Sequence, residues 1–278
     1  MRTRIVTDST AELSPSVAAA LDIVVVPQLI QIGAESVPDD MQPRSLEFVK
    51  RLQRTREPVS VVPPGARDMA DLYARLSRDA DAIVSIHAAG GLNGIVQAAN
   101  LARRNILGHC QISVIDSGLI SHALGVLVTE AANAALSGAE GTEVVRLVRG
   151  VMPRIYLAFY AENLDQLRRG GFLPPRRVAT EGGAAFKPLF LVEDGHITKL
   201  HRTRSRGTPV ERLGEFVAEF TALKELTILY SGIGPKPEPL EALLAELLPN
   251  QHVDKHMYGP SFAAYVGQQV LGIVAHES

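Results

Sequence analysis

Residues 82–104 read AIVSIHAAGGLNGIVQAANLARR. Residues 82–86 are an apolar, β-branched run of strand length. Residues 87–94 carry three glycines and an asparagine, the chemistry of a loop. Residues 95–104 continue as a helix. A buried strand, a glycine-rich loop and a helix, in that order, form the repeating unit of a parallel sheet covered by helices. The alternation extends in both directions. Upstream, residues 4–6 are a short strand followed by Thr7-Asp8-Ser9-Thr10. Ser14-Pro15 joins a helix N-cap to proline at the first helical position, opening a helix to about residue 21. Residues 23–26 and 29–32 read as strands, 37–43 as a polar loop with Asp39 and Asp40, and 46–53 as a helix. Residues 59–62 are a strand ending at Pro63-Pro64-Gly65, before a helix over 66–78. Downstream, residues 112–115 are a strand closed by Asp116-Ser117-Gly118, and residues 121–136 and 142–150 are helices.

The alternation changes character at Met152-Pro153, which separates a first domain, residues 1–152, from a second, residues 153–278. In the second, residues 155–159 are a strand and 163–169 a short helix stopped by Gly170-Gly171. Strands over 186–192 and 196–200 flank Asp194-Gly195, a hairpin turn signal. Thr208-Pro209-Val210-Glu211 combines a capping box with proline at the first helical position. Residues 226–230 are a strand, 240–248 and 261–270 helices, and 272–275 the last strand. The expected class is α/β, with a mostly parallel sheet in the N-terminal domain.

Composition removes several function classes. The 278 residues carry 28 Lys and Arg against 30 Asp and Glu, a formal net charge of −2. That balance argues against a nucleic-acid binder built on a basic stripe. Hydrophobic residues at 46% exclude a disordered chain, and aromatics at 5% with no Trp weigh against a base-stacking platform. The single cysteine, Cys110, rules out an intramolecular disulfide and a multi-cysteine zinc site, and it reads as a packed thiol. The start does not resemble a signal peptide, and no apolar run reaches about 18 residues. The expected address is the cytoplasm, with no transmembrane segment.

In a parallel sheet, ligands bind where strands end and helices begin. Small polar residues mark four such ends: Thr7-Asp8-Ser9-Thr10, Ser60 with Pro63, Gly90-Gly91-Leu92-Asn93-Gly94, and Asp116-Ser117. On one rim they would offer hydroxyls, a carboxamide and free helix N-termini to a polar or anionic head group. The glycines let backbone N–H groups approach a ligand, or they make an ordinary tight turn, and Asn93 suits a helix cap. The loop is not a P-loop, because no Gly-Lys-Ser/Thr follows, and it lacks the dinucleotide fingerprint. Asp8 and Asp116 read as catalytic carboxylates or, more simply, as acceptors for nearby backbone N–H groups. A hydrolase or transferase using Asp8, Asp116 and His87 is therefore the alternative to a binding protein, although Ser9 and Ser117 lie outside any nucleophile-elbow motif. His252 and His256 have the spacing of two metal ligands on a helix but lack an evident third, so no metal is expected. Arg202, Arg204 and Arg206 form either a solvated face or a contact for an anion or acidic partner.

Taken in order along nearly the whole chain, these segments resemble the DegV family of bacterial lipid-binding proteins. Thr7-Asp8-Ser9-Thr10 and Val114-Ile115-Asp116-Ser117 are similar to its two Asp-Ser motifs. Asn163-Leu164-Asp165-Gln166-Leu167-Arg168-Arg169-Gly170-Gly171 resembles its Asn-Leu-x-x-Leu-x-x-Gly-Gly signature. Phe186-Lys187-Pro188-Leu189 with Asp194-Gly195-His196-Ile197 resembles its Lys-Pro…Asp-Gly-x-Ile hairpin. The resemblance implies two α/β domains with a long-chain fatty acid in a cavity between them, no other cofactor, and no chemistry by the protein alone. A separate kinase would phosphorylate the presented carboxylate. The head group would meet Ser60, Asn93, Gly94 and His256. Asp8, Ser9, Gly91, Asp116 and Ser117 would form or support the rim, and Arg202 and Arg204 would dock the kinase. The chain departs from the family pattern at three places. Ser60-Val61-Val62-Pro63-Pro64 stands for Thr-Ser-Gln-Pro-Ser, Asn93 for a carboxylate-binding serine, and Met257, with His256 one residue earlier, for a histidine. Neutral donors of this kind suit a carboxylate or a neutral alcohol, amide or ester. An acyl tail of ~14 buried methylenes contributes roughly 11 kcal/mol before association costs, so the tail dominates binding. A filled junction would instead mark a chain that keeps the fold without the lipid.

Overall fold

The computed structural model describes residues 2–39, 45–55, 57–104, 106, 108–174, 187–200 and 207–278. In chain order the strands are β1 (Thr3–Asp8), β2 (Ile23–Val26), β3 (Leu29–Ile32), β4 (Glu35–Pro38), β5 (Val59–Val62), β6 (Ala82–His87), β7 (Gln111–Asp116), β8 (Ile155–Ala161), β9 (Leu189–Glu193), β10 (His196–Lys199), β11 (Leu223–Tyr230), β12 (Asp254–Met257) and β13 (Val270–Glu277). The helices are α1 (Pro15–Ala20), α2 (Ser45–Arg54), α3 (Ala66–Leu76), α4 (Ile95–Arg103), α5 (Ser121–Leu136), α6 (Gly141–Val151), α7 (Asp165–Arg169), α8 (Pro209–Val217), α9 (Glu238–Leu247) and α10 (Pro260–Val266). Short 3₁₀ turns occupy Ser9–Ala11 and Met152–Arg154. The predicted caps form: Ser14 accepts from Val17 N, and Thr208 and Glu211 cap each other's backbone N–H.

Four strands make a parallel sheet in the order β2-β1-β6-β7. Central β6 is buried along its whole length, as a strand with both faces covered requires. α3 and α4 cover one face through Met69, Tyr73, Ile95 and Ala99, and α5 covers the other through Leu124 and Leu127. Gly125 allows α5 to lie against the first 3₁₀ turn, since a Cβ there would sit 2.5 Å from the Ala11 carbonyl oxygen. The carboxyl ends of β1, β6 and β7 carry Asp8, His87 and Asp116.

A separate antiparallel sheet runs β4-β3-β5 and corrects two expectations. Ser60 lies within β5 opposite Gln31, outside the rim of the parallel sheet. Residues 37 and 38, expected to open a polar loop over 37–43, instead close β4 (residues 35–38): Gly33, at φ 57°, turns the chain back so that the strand pairs with β3. Asp40 lies outside the described residues.

The third sheet has the order β10-β9-β8-β13-β11-β12 and is antiparallel except for β11 with β12. Its β9–β10 hairpin turns on Asp194 and Gly195 at φ 49° and 76°, the paired positive φ of a type I′ turn. One face, with Leu157, Phe159, Phe190 and Val270, joins α10, α5 and the parallel sheet in a single core that spans the junction. The other face takes α8 and α9 through Leu213, Val217, Leu240 and Leu244. α10 is shorter than the helix expected over 261–270. It stops at Val266, Gly267 follows at φ 94°, and β13 begins at Val270. β12 places His256 on a strand, and His252 precedes it as an exposed residue of irregular chain, so the helical metal-ligand spacing does not occur. Among the described residues, no helix is long and apolar enough to cross a membrane.

Candidate functional site

Asp8 ends β1 with its side chain wholly buried. Its carboxylate accepts from His87 Nδ1 at 2.9 Å, Gln28 Nε2 at 2.8 Å, Ala88 N at 3.0 Å, Thr10 N at 3.2 Å and Thr10 Oγ1. Burial alone would raise this carboxyl. The bonds from His87, Thr10 and Ala88 outweigh it and hold the group below its ordinary range.

The same residues complete a Ser-His-Asp geometry that the sequence reading did not anticipate. Ser85 Oγ lies 2.7 Å from His87 Nε2 and accepts from Tyr73 Oη at 2.8 Å. Ser85 and His87 alternate on one face of β6, and the only local signal was two polar residues spaced by two in an apolar strand. Ser85, His87 and Asp8 are each 0% exposed. A nucleophile must touch its substrate, and Ser85 is sealed beneath α3. The arrangement is a satisfied buried polar network. Asp116 is exposed, and its Oδ1 accepts from Gly90 N at 3.0 Å and Gly118 N at 3.1 Å, tying two loops together. Ser117 Oγ donates to the His87 carbonyl at 2.6 Å and accepts from Leu119 N. The glycines here receive a backbone of this chain: a Cβ on Gly91 would lie 3.0 Å from the Gly195 carbonyl at the hairpin tip.

A second group of polar residues joins the two halves. Ser9 Oγ donates to Asp39 Oδ2 at 2.7 Å and accepts from Gln28 N, while Asp39 Oδ1 accepts from Ser261 N at 3.1 Å. Burial pushes Asp39 up to about 7, and the carboxylates of Glu12 and Asp8 add to the effect. Glu12 Oε1 accepts from Gly259 N at 2.7 Å, and its Oε2 accepts from Ser121 Oγ at 2.7 Å and His256 Nε2 at 2.9 Å. His256 stacks on His122, with ring centroids 4.5 Å apart, and His122 Nε2 lies 3.2 Å from Glu225 Oε1. Glu12 and Asp39 thereby anchor the first residues of α10 to the other half of the molecule. Glu12→Ala should cost about 2–4 kcal/mol, because it strands buried donors. Hydrogen exchange would show it as faster exchange at α10 with β6 unaffected; unchanged protection at α10 would rule out the anchoring role.

Gly94, not Asn93, is the N-cap of α4; Asn93 lies one residue earlier, and its Oδ1 accepts from Ile95 N, the first N–H of the helix, at 3.0 Å. Its Nδ2 donates to Gln28 Oε1 at 3.2 Å and to Tyr265 Oη at 2.9 Å. Gly94 is exposed and faces Pro63, and Ser60 is exposed on β5. The structure thus groups Asn93 with Gln28 and Tyr265, and His256 with Glu12 and Ser121. Sequence reading missed Gln28, Glu12 and Tyr265, whose partners lie 20 to 247 positions away. Arg202, Arg204 and Arg206 lie outside the described residues.

A cavity of about 1200 Å³ opens at the junction beside Asp116 and Ser117. Arg149, Met152 and Pro153 border it on one side, and Tyr156, Leu191 and Phe216 on the other. Ser60, Asn93, Gly94 and His256 are not among its lining residues. The described residues hold no cluster of three metal-ligating side chains.

Residues 2–278 match the family model described as "Uncharacterised protein, DegV family". A DegV domain-containing protein of Streptomyces coelicolor is 30% identical over 277 residues, covering 97% of this chain and 96% of that protein. The fatty acid binding DegV family protein of Streptococcus agalactiae has a similar fold, with a TM-score of 0.88 at 20% identity over 100% of this chain and 99% of that one. A DegV family protein from Thermus thermophilus, described by its fatty acid binding, gives a TM-score of 0.83 at 24% identity over 100% of both chains. With its fold, its ordered motifs and a full-length family match in agreement, this chain belongs to the DegV family.

Proposed function

We propose that this protein is a non-catalytic carrier that holds a long-chain fatty acid between its two halves and presents the carboxyl end to a separate acyl-phosphorylating kinase. The observation that carries the reading is whole-length membership in a family whose solved relatives include proteins described as fatty acid binding. In this reading the chain divides at Met152-Pro153. Residues 1–152 supply the head-group loops, and residues 153–278 cover the tail. Ser60, Asn93, Gly94 and His256 face the head group, while Asp8, Ser9, Gly91, Asp116 and Ser117 form or support the rim. Apolar side chains of both halves line the tail. Arg202 and Arg204 dock the kinase in the cytoplasm, so charge reversal there should slow association and weaken its salt dependence. The sealing of Ser85, His87 and Asp8 from solvent supports the non-catalytic part of the reading.

Native mass spectrometry of the protein as purified, followed by lipid extraction, tests it. The expected result is one long-chain fatty acid per chain. An apo mass, together with no thermal stabilisation by added fatty acids, would overturn the carrier reading.

A further inference from the structure

The hydrogen bonds around Asn93 have a direction, and it begins at Asp8. An ionised carboxylate can only accept, so the end of Gln28 that meets Asp8 at 2.8 Å is the amide nitrogen. That turns the Gln28 carbonyl oxygen toward Asn93, and the Asn93 atom that meets it at 3.2 Å must again be the amide nitrogen. The Asn93 carbonyl is occupied by the Ile95 N–H. The remaining amide hydrogen of Asn93 goes to Tyr265 Oη at 2.9 Å. Tyr265 ends this line of oriented donors. Its oxygen accepts, so its own O–H points onward, and no described residue accepts it.

Tyr265 lies on α10, in the opposite half from Asn93. It is buried, with its ring edge-on to Phe172 at 6.2 Å. The hydroxyl therefore sits in the seam between the halves, on Asn93. Burial, with Asp8 and Asp39 close by, pushes the phenol up and keeps it a protonated donor. The same two carboxyl groups oppose a further negative charge at this point.

Charged groups on the elements packed against α10 do not reverse that field. On α2, Lys50, Arg51 and Arg54 are exposed, and Arg51 pairs with Glu35. On α7, Arg168 pairs with Asp165, and Arg169 donates to the Thr55 carbonyl. β3 and β5 carry no charged residue.

We propose that Tyr265 reads the ligand head group: its O–H, aimed through Gln28 and Asn93, donates to an uncharged carbonyl oxygen, so the fatty acid is bound as the protonated acid. This assignment rests on the carrier reading and goes beyond it in naming the specificity residue and the ligand's protonation state.

The test is calorimetric titration of the delipidated full-length protein with hexadecanoic acid and with its methyl ester. Titrations are run at about pH 8 and about pH 9, both above the range in which Asp39 titrates, in buffers of different ionisation enthalpy. Binding of the acid should take up about one proton per ligand at the higher pH. Its affinity should fall about tenfold per pH unit, while that of the ester stays level. Tyr265→Phe should weaken both ligands about tenfold, the worth of one hydrogen bond. Proton uptake is read on the unmodified protein, so the test does not depend on how the variant folds. Binding of the acid without proton uptake, with the ester excluded, would overturn this assignment and leave the carrier reading standing. No binding of either ligand would overturn both.

Discussion

Asp8→Ala is expected to lower the unfolding free energy by about 3–5 kcal/mol and the thermal midpoint by roughly 10 °C. The substitution removes one acceptor and leaves its donors behind. His87 Nδ1, Ala88 N, Gln28 Nε2 and both Thr10 donors lose their partner inside a core that water does not reach. Alanine supplies no acceptor, so the full desolvation cost of those groups appears. The pH dependence identifies the cause. The Asp8 carboxyl is held below its ordinary 3.8 in the folded state. Its contribution is therefore complete above that value and disappears as the pH falls through the lower, folded value. Denaturant unfolding near pH 7 and near pH 3 should show the gap between the two proteins smaller at the second, by about 1 kcal/mol, one proton acting over the interval below 3.8. An equal gap at both would mean that the ionised carboxylate is not what holds the network.

Asp39→Asn should act in the opposite direction. Asp39 is raised to about 7 by burial beside Glu12 and Asp8. Between its ordinary 3.8 and about 7, the unfolded chain has released a proton that the folded chain still binds. Stability therefore falls as the pH rises through that window, and the full penalty applies above it. Asparagine keeps an acceptor for Ser261 N and offers a donor to Ser9 Oγ, so the geometry survives without the charge. The variant should be more stable on the order of 2–4 kcal/mol near pH 8 and indistinguishable near pH 4. Urea unfolding at the two pH values measures this. A variant less stable than the parent near pH 8 would refute the account. Because Asp39 meets the first turn of α10, the penalty falls on the contact between the halves and loosens it in the same pH range.

The elements that were legible in the sequence are those whose signal is local. β2, β3, β5 and α5 occupy the expected residues. Apolar β-branched runs, glycine and proline punctuation, and capping residues act within a few positions of one another. β4 and β12 were not legible, and both are edge strands. Glu35-Ser36-Val37-Pro38 and Asp254-Lys255-His256-Met257 have one wet face and no apolar period. They become strands because a neighbour presents unpaired backbone groups, which no property of the segment records. The end of α10 was missed for the converse reason: residues 262–266 and 270–275 are apolar alike, and only the positive φ of Gly267 separates helix from strand.

The candidate site divides in the same way. The chain by itself determined the α/β alternation, the ordered motifs of the family, the loop-to-helix turn at Asn93-Gly94 and the hairpin turn at Asp194-Gly195, because each depends on backbone preference or on neighbours in sequence. Only the tertiary structure decided that Gln28 orients Asn93, that Tyr265 completes it from the other half, and that Glu12 grips Gly259 across 247 positions. It also decided that Ser85, His87 and Asp8 form a sealed network, although Asp8 and His87 were open to a catalytic reading with Asp116. Hydrogen bonds are set by distance and by access to water, and both exist only once separate segments of the chain have packed together.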